Sequence, residues 1–387
     1  MMQRDAAYYD LVGRSLQGIS YQSFVDTMFA DKYNAPSTEG FMWDDEIQMD
    51  FTYHQLEAEL GIYAMATYVD IDSPAPMRGV SGVEVTTGKI PRFKHGFNLN
   101  ENLIRKQMLM ASKGAFDSAA EDAIMKLLYN STDKLLGGNY NTLSHQRHQA
   151  ISKGKFEITI TNNPMGIQNL SFDFKIPTAN ITTLTNNNRW WTDAAYTTEG
   201  STSTPVEDLV ALVKQATDAF APVGAIEVSK VGFNRFLGHS KAKISLGYLY
   251  SPEAASDAIA TNIANRLSVE EARLLLERKL GVAVRVIDHI AVVEKYNKTT
   301  KSLDYNRVSS FDEDAWVLVP DGELGTIKAV QPIVIADPAA RIALFDEERT
   351  VLMQTFDAKN KVQTIESELT ALCVPNQRKY MYYLNIK

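Results

Sequence analysis

Phe311-Asp-Glu-Asp-Ala-Trp-Val-Leu-Val-Pro-Asp-Gly-Glu-Leu-Gly325 decides how the chain is read. Its acidic run, Asp312-Glu313-Asp314, reads as a solvated loop, and Trp316-Val-Leu-Val-Pro320 reads as a strand of buried type. Upstream the character is mixed α/β. Val282–Ile287 and Ile290–Tyr296 are strands, and Ser268-Val-Glu-Glu271 caps a helix that runs through Leu280 to its stop at Gly281. Ala225–Val228 is a further buried strand. Thr204-Pro205-Val-Glu207 starts a helix continued by Leu209, Val210, Val213 and Phe220, with an N-cap, a proline at the first position and an acid at the third. Downstream the chain is extended over Arg341–Phe345, Thr350–Ala358, Val362–Pro375 and Tyr380–Ile386. The final strand is expected to return to the sheet of the helical segment described next.

That helical segment lies before a Thr/Asn/Ser-rich boundary at 178–204, which Trp190-Trp191 interrupts. Phe156, Ile158 and Ile160 alternate, Asn-Asn-Pro-Met-Gly turns the chain, and Leu170, Phe172, Phe174 and Ile176 alternate back, so 155–177 is a hairpin. Before it, Asn98 with Glu101 makes a capping box. Phe116, Ala120, Ala123, Ile124, Leu127, Leu128 and Leu135 share one helical face that Gly137-Gly138 should end, with a shorter helix over 141–152 closed by Gly154. Residues 46–96 are β-rich: Ile47, Met49, Phe51 and Tyr53 alternate, 61–71 is a second extended run, and Val83, Val85 and Ile90 mark a third, with a Pro/Gly turn at 70–82. This is a long two-stranded ribbon, a form that is marginal alone in water. The first 45 residues read as an arm. Tyr21, Phe24, Val25, Met28 and Phe29 recur at helical spacing behind Ser20, and the arm packs either on its own body or on a neighbouring chain.

Composition narrows the function. The chain has 387 residues, 45% of them hydrophobic, a length suited to about two to three domains at ~100–200 residues each. Its apolar runs fall short of the ~18–20 residues a bilayer span needs, and its N-terminus lacks the apolar core of a signal peptide. The single cysteine, Cys373, excludes an internal disulfide framework and a Cys-built zinc site, and reads as a small buried hydrophobe. A net charge of −8 argues against uniform nucleic-acid binding. Within it, however, Lys89 to Lys155 carries eleven Lys/Arg against five Asp/Glu. That segment is a solvated helix face, or a surface for a polyanion or for the N-terminal arm, which up to Glu46 carries eight acidic residues against Arg4, Arg14 and Lys32.

Catalytic and cofactor motifs fail on inspection. His145 and His148 form H-x-x-H without an intervening acid or a third ligand, and read as solvated polar residues. Gly82-Val-Glu-Val-Thr-Thr-Gly88-Lys89 has one residue too many for a phosphate loop, and Ile90 stands where Ser or Thr must bind magnesium. Asp70-Ile-Asp72 heads a turn, where aspartates bond their own backbone. His289 beside Asp288 lacks a nucleophile and reads as structural. No catalytic residue, cofactor site or metal site is assigned, and the chain is expected to be no enzyme.

The order of pieces resembles the major capsid proteins of tailed bacteriophages, the HK97-type fold, and within it the lambda-type major capsid protein E branch. The residues that carry the resemblance are Val284-Arg-Val-Ile-Asp288, Tyr296, the stretch Phe311–Gly325, Ile90-Pro-Arg-Phe-Lys-His-Gly-Phe97, and Glu368-x-x-x-Leu372-x-Val-Pro375. The resemblance implies an α+β, HK97-like capsid fold: an N-terminal arm (1–45), an extended β E-loop (46–96), a P-domain of spine helix and hairpin (97–202), an α/β A-domain (203–332) and P-domain return strands (333–387). It implies a shell subunit of a tailed dsDNA phage, in hexamers and pentamers, found in the virion capsid after assembly in the host cytoplasm. Its partners would be a scaffolding protein, a portal, a decoration protein and packaged DNA held by non-specific contact, with no membrane. Lysine–asparagine crosslinking is not expected, because no motif marks a partner for Lys89 or Lys94.

Aromatic and Met side chains of this kind are enriched at interface centres. The expected inter-subunit residues are therefore Phe51, Tyr53, Tyr63, Met65 and Tyr68 of the ribbon and Tyr21, Phe24, Met28 and Phe29 of the arm. Arg92, Lys94, Arg105 and Lys106 are the expected inner-face basic residues. Serine at Phe24 and Phe29 should then harm assembly more than folding. The competing readings are an encapsulin-like compartment shell and a soluble α/β enzyme whose site lies within 203–332.

Overall fold

The computed structural model describes residues 21–33, 43–58, 83–99, 117–164, 166–167, 169–297, 302–333, 340–345, 348–357 and 362–387. In chain order the helices are α1 (Tyr21–Tyr33), α2 (Asp117–Lys153), α3 (Pro205–Asp218), α4 (Lys230–Gly238), α5 (Ser240–Tyr250), α6 (Asp257–Ala264) and α7 (Val269–Leu280). The strands are β1 (Trp43–Gln48), β2 (Thr52–Ala58), β3 (Val83–Lys89), β4 (Arg92–Leu99), β5 (Lys155–Ile158), β6 (Leu170–Asp173), β7 (Ile181–Thr183), β8 (Ala225–Ser229) and β9 (Ala283–Ile287). They continue with β10 (Ile290–Asn297), β11 (Ser302–Ser309), β12 (Ala315–Val319), β13 (Gly325–Val330), β14 (Ala340–Phe345), β15 (Thr350–Asp357), β16 (Val362–Pro375) and β17 (Tyr382–Asn385).

The run at 315–319 is continuous and apolar because both faces of its sheet are covered. Trp316 and Leu318 enter a core with Trp190, Leu209, Phe233, Phe236, Leu246 and Leu276. Ala315, Val317 and Val319 enter another with Ile151, Phe311, Leu324 and Tyr383. The sheet runs β7-β17-β12-β8-β9. β17 therefore joins β12 at Leu318↔Tyr382 and leaves the sheet of the helical segment, where it was expected. The alternation of Met381 and Tyr383 against Tyr382 and Leu384 between the two cores explains the choice, since every side chain finds an apolar face. The acidic run at 312–314 is anchored as well as wet. Arg235 pairs with Glu313 (2.7 Å) and Asp314 (3.3 Å), and the Tyr196 hydroxyl donates to Asp314 (2.7 Å).

The second sheet, β1-β13-β16-β15-β14, has β4 added on β16. Strand β16 organises it: residues 363–370 pair with β4 and 371–375 with β13. Cys373 is buried on this strand. Under the sheet lies α2, one helix of 37 residues where the sequence suggested two. Gly138 does not stop it, because a Cβ there would meet His95 Cε1 at 2.3 Å, so the glycine lets β4 cross close to the helix. Tertiary packing of Leu135, Leu136 and Leu143 overrides the local propensity. The helix ends at Gly154, at φ +63. Beyond it β5 and β6 form the expected hairpin, with Phe156 opposite Phe172.

Two further expectations change. The alternation from Ile47 to Tyr53 is not one strand, since β1 pairs parallel with β13 and the chain bends before β2 pairs with β3. The bend is fixed by Asp50, whose carboxylate accepts the Thr52 N–H (3.2 Å). Asn98 is inside β4, opposite Thr364, and is not a helix cap. The helix expected from it and the Asp70–Asp72 turn lie outside the described residues.

Candidate assembly surfaces

The ribbon β2–β3 is a two-stranded sheet in register Thr52↔Lys89 to Ala58↔Val83 and pairs with no other described strand. Its root is fixed by the Ile90 N–H donating to Phe51 O (2.8 Å) and by Tyr53, 3% exposed, which packs with Ile90, Phe156, Phe174, Val330 and Leu372. Burial of the ring raises the Tyr53 phenol pKa. Tyr53 is thus a core residue of its own chain, which corrects its expected interface role: its ring fills the gap over Gly88, where a Cβ would approach it to 2.7 Å. Phe51 does remain on the surface at 47% exposed, with the Arg92 guanidinium 5.6 Å from its ring centroid. Met49 (78%) and Ile47 (38%) lie beside it in sequence. Tyr63, Met65 and Tyr68 lie outside the described residues, as do Arg105 and Lys106.

Helix α1 carries a similar correction. Tyr21, Phe24 and Phe29 are buried with Leu135, Leu136, Phe345, Leu352 and Ile365 of the same chain, and Phe29 stacks on Tyr129 at 5.0 Å between ring centroids. The Gln22 side chain accepts the Leu344 N–H (2.6 Å) at the edge of β14. These contacts dock the helix on its own body, since their apolar surface is already spent on it. Met28, 48% exposed, is the one of the four that faces outward.

The basic residues of β4 are partnered. Arg92 lies 3.1 Å from Glu368 across the β4–β16 pair, and Lys94 forms an ion pair with the same carboxylate. Both keep about half of their side-chain surface, so their field is reduced without being removed.

Two polar clusters escaped the sequence reading. His145 and His148 are buried, against the expectation of solvation, because α2 passes beneath the base of the β10–β11 hairpin. Ser310 Oγ lies 3.0 Å from His145 Nδ1 and 2.7 Å from His289 Nδ1, and the His148 ring stacks on His289 at 5.0 Å. Burial first, then neighbouring cations, lowers the His145 pKa to about 4 and the His148 pKa to about 3. The i,i+3 spacing of the two histidines was legible; their partner, 141 to 144 residues away, was not.

The other cluster joins Ser203, His239 and Glu199. Ser203 Oγ is 3.1 Å from His239 Nε2, and Glu199 is 3.8 Å from that same nitrogen. A nucleophilic triad needs the carboxylate on the opposite ring nitrogen. Here Nδ1 accepts the Lys241 N–H and caps α5, while the buried Ser203 hydroxyl donates to Gly200 O (2.7 Å). The cluster pins a loop to a helix start. Among the described residues no group of three His, Cys, Asp or Glu side chains is arranged to hold a metal ion. No described helix is long and apolar enough to cross a membrane.

No curated protein matches the chain in sequence. Similar solved structures include the capsid of cyanophage P-SCSP1u, at 8% identity and TM-score 0.45 over 91% of this chain and 88% of that one. The capsid of Myoviridae phage XM1 is also similar, at 10% identity and TM-score 0.40 over 90% of each. Likeness at that level carries no assignment by itself. The family model for phage major capsid protein E matches residues 34–383, nearly the whole length. The major capsid protein E branch that the order of arm, ribbon, long helix and α/β unit led us to expect is the one this match identifies: the chain belongs to the phage major capsid protein E family.

Proposed function

We propose that this capsid subunit works without enzymatic activity, by reaching a neighbouring copy with its β2–β3 ribbon. The observation that carries the reading is a two-stranded ribbon with a buried root, no third described strand, and exposed Ile47, Met49 and Phe51 at its base. Such a ribbon gains stability by docking. In this reading the chain divides into the arm 1–45, the E-loop 46–96, the P-domain 97–202 with return strands from 333 onward, and the A-domain 203–332, with β13 crossing to the P-domain sheet and the final strand β17 returning to the A-domain sheet. Tyr63, Met65 and Tyr68 join Phe51 as the ribbon's contact residues, and Met28 represents the arm. Hexamers and pentamers, a scaffolding protein, a portal and a decoration protein are the partners, and DNA contact through Arg92, Lys94, Arg105 and Lys106 is non-specific and salt-dependent. The test is deletion of residues 55–85. The truncated chain should fold, with near-native circular dichroism, and form no closed particles by electron microscopy. Normal particles from it would sink the ribbon's role. The enzyme reading has a Ser/His/Glu group behind it, but the wrong ring nitrogen and a hydroxyl already donated.

A further inference from the structure

We propose that the base of the β10–β11 hairpin and the C-terminal half of α2 form an acid-labile joint, held closed by neutral His145 and His148 and opened when these two rings take up protons. The joint lies within one chain and stands apart from the assembly reading. Its geometry is that of a clasp. The hairpin leaves the α/β unit at His289 and returns at Ser310, where the Ser310 N–H donates to His289 O (3.2 Å). Three contacts fasten this closed end to α2: the Ser310 hydroxyl to His145 Nδ1 (3.0 Å), the Gln149 amide to Ser310 O (2.9 Å), and the His148–His289 stack. The Ser310 hydroxyl has one proton and bonds two ring nitrogens, so it donates to one imidazole and accepts from the other. An unprotonated Nδ1 on one of the two rings completes that chain.

After burial, the strongest charge effects on His145 and His148 come from cations: His289 from the hairpin base, and Lys153 and Arg147 from α2 itself. From β5, the Phe156 ring meets His145 edge-on at 6.3 Å, and Lys155 on the same strand is held by Glu157 (2.8 Å). Toward β16 the helix presents Gln146, bonded to the Cys373 N–H. Asp288, next to His289, is engaged by Lys230 (2.5 Å). Asp312, beyond Ser310, accepts the Asp314 N–H and shares the rim of an adjoining cleft with Lys153. A proton on either α2 histidine would therefore be buried against like charge.

The direction follows from linkage. Rings released by opening regain an ordinary affinity for protons near pH 6.5, whereas the closed joint resists them down to about pH 4 at His145 and about pH 3 at His148. The closed state is fully favoured above about pH 6.5 and loses ground steadily as pH falls below it. With two rings taking up protons on opening, the opening constant rises toward about 100-fold per pH unit.

Amide hydrogen exchange of the full chain from pH 7.5 to 4.5, corrected for intrinsic rates, reads this directly. Protection at 144–152, 290–297 and 302–309 should fall steeply below pH 6.5, while β8 and β12 stay protected. In the double variant His145→Asn, His148→Phe, the amide keeps a partner for Ser310 and the ring keeps the stack, and the steep fall should disappear. An unchanged fall in that variant, or no fall in the wild type, overturns the proposal. A measurement on the wild type alone guards against misfolding of the variant. Exchange of the imidazole C2 protons, followed by mass spectrometry, should show His145 and His148 titrating well below pH 5, and titration near 6.5 would equally overturn it.

Discussion

At Gly138 two physical preferences collide. A glycine inside a helix costs about 1 kcal/mol relative to alanine, so Gly137-Gly138 read as a stop. The side chain that tips the balance the other way is His95, far away in sequence, whose ring rests where a Cβ would stand and whose Nε2 lies 2.8 Å from Leu135 O. Burial lowers the His95 pKa, consistent with a ring that serves as neutral packing. Gly138→Ala should therefore destabilise the chain by about 1–2 kcal/mol in urea unfolding despite its better helix propensity. With His95→Ala in the background the same substitution should become neutral or stabilising, a coupling a double-mutant cycle measures. Equal effects in both backgrounds would contradict the account. By contrast, Ser268 and Glu271 were legible at once, because the capping box they form is local: the Ser268 N–H donates to Glu271 (2.8 Å) and the Glu271 N–H to Ser268 (3.2 Å).

Elements were readable where their reasons lie within the element. The 155–177 hairpin and the 315–319 strand declare themselves through period and run length, and α3 and α7 through their first turns. Pairings between distant strands were not readable. Nothing local to 43–48 announces a parallel partner at 325–330, and nothing local to 382–385 says which of two sheets it completes. The same limit misled the reading of α1. Its apolar face was visible, but whether its own body or a neighbour covers that face depends on Leu136, Phe345 and Ile365, which are distant in sequence. The structure makes Phe29 a folding residue: Phe29→Ser should cost about 3–5 kcal/mol of chain stability, as large-to-small changes at fully buried aromatics do. Denaturant titration of the unassembled chain is the check, and a variant as stable as wild type yet unable to assemble would restore the docking-arm reading.

For the molecule as a whole, the acidic balance and the basic segment meet within one sheet. Arg92 and Lys94, two of the cations behind the net positive stretch at 89–155, face Glu368 of β16. Charge counted along the sequence therefore overstates the field the surface presents. The apolar surplus is likewise divided: Tyr53, Tyr21 and Phe24 are buried within the chain, while Met28, Ile47, Met49 and Phe51 remain outside. What persists at this scale is a family assignment spanning 34–383 and a ribbon that no other described strand completes. The most direct test of the central claim is electron microscopy of the purified full-length chain, expressed alone and with a scaffolding partner. The account predicts closed, uniform shells in at least one preparation. A chain that stays monomeric and monodisperse at high concentration in both would contradict it.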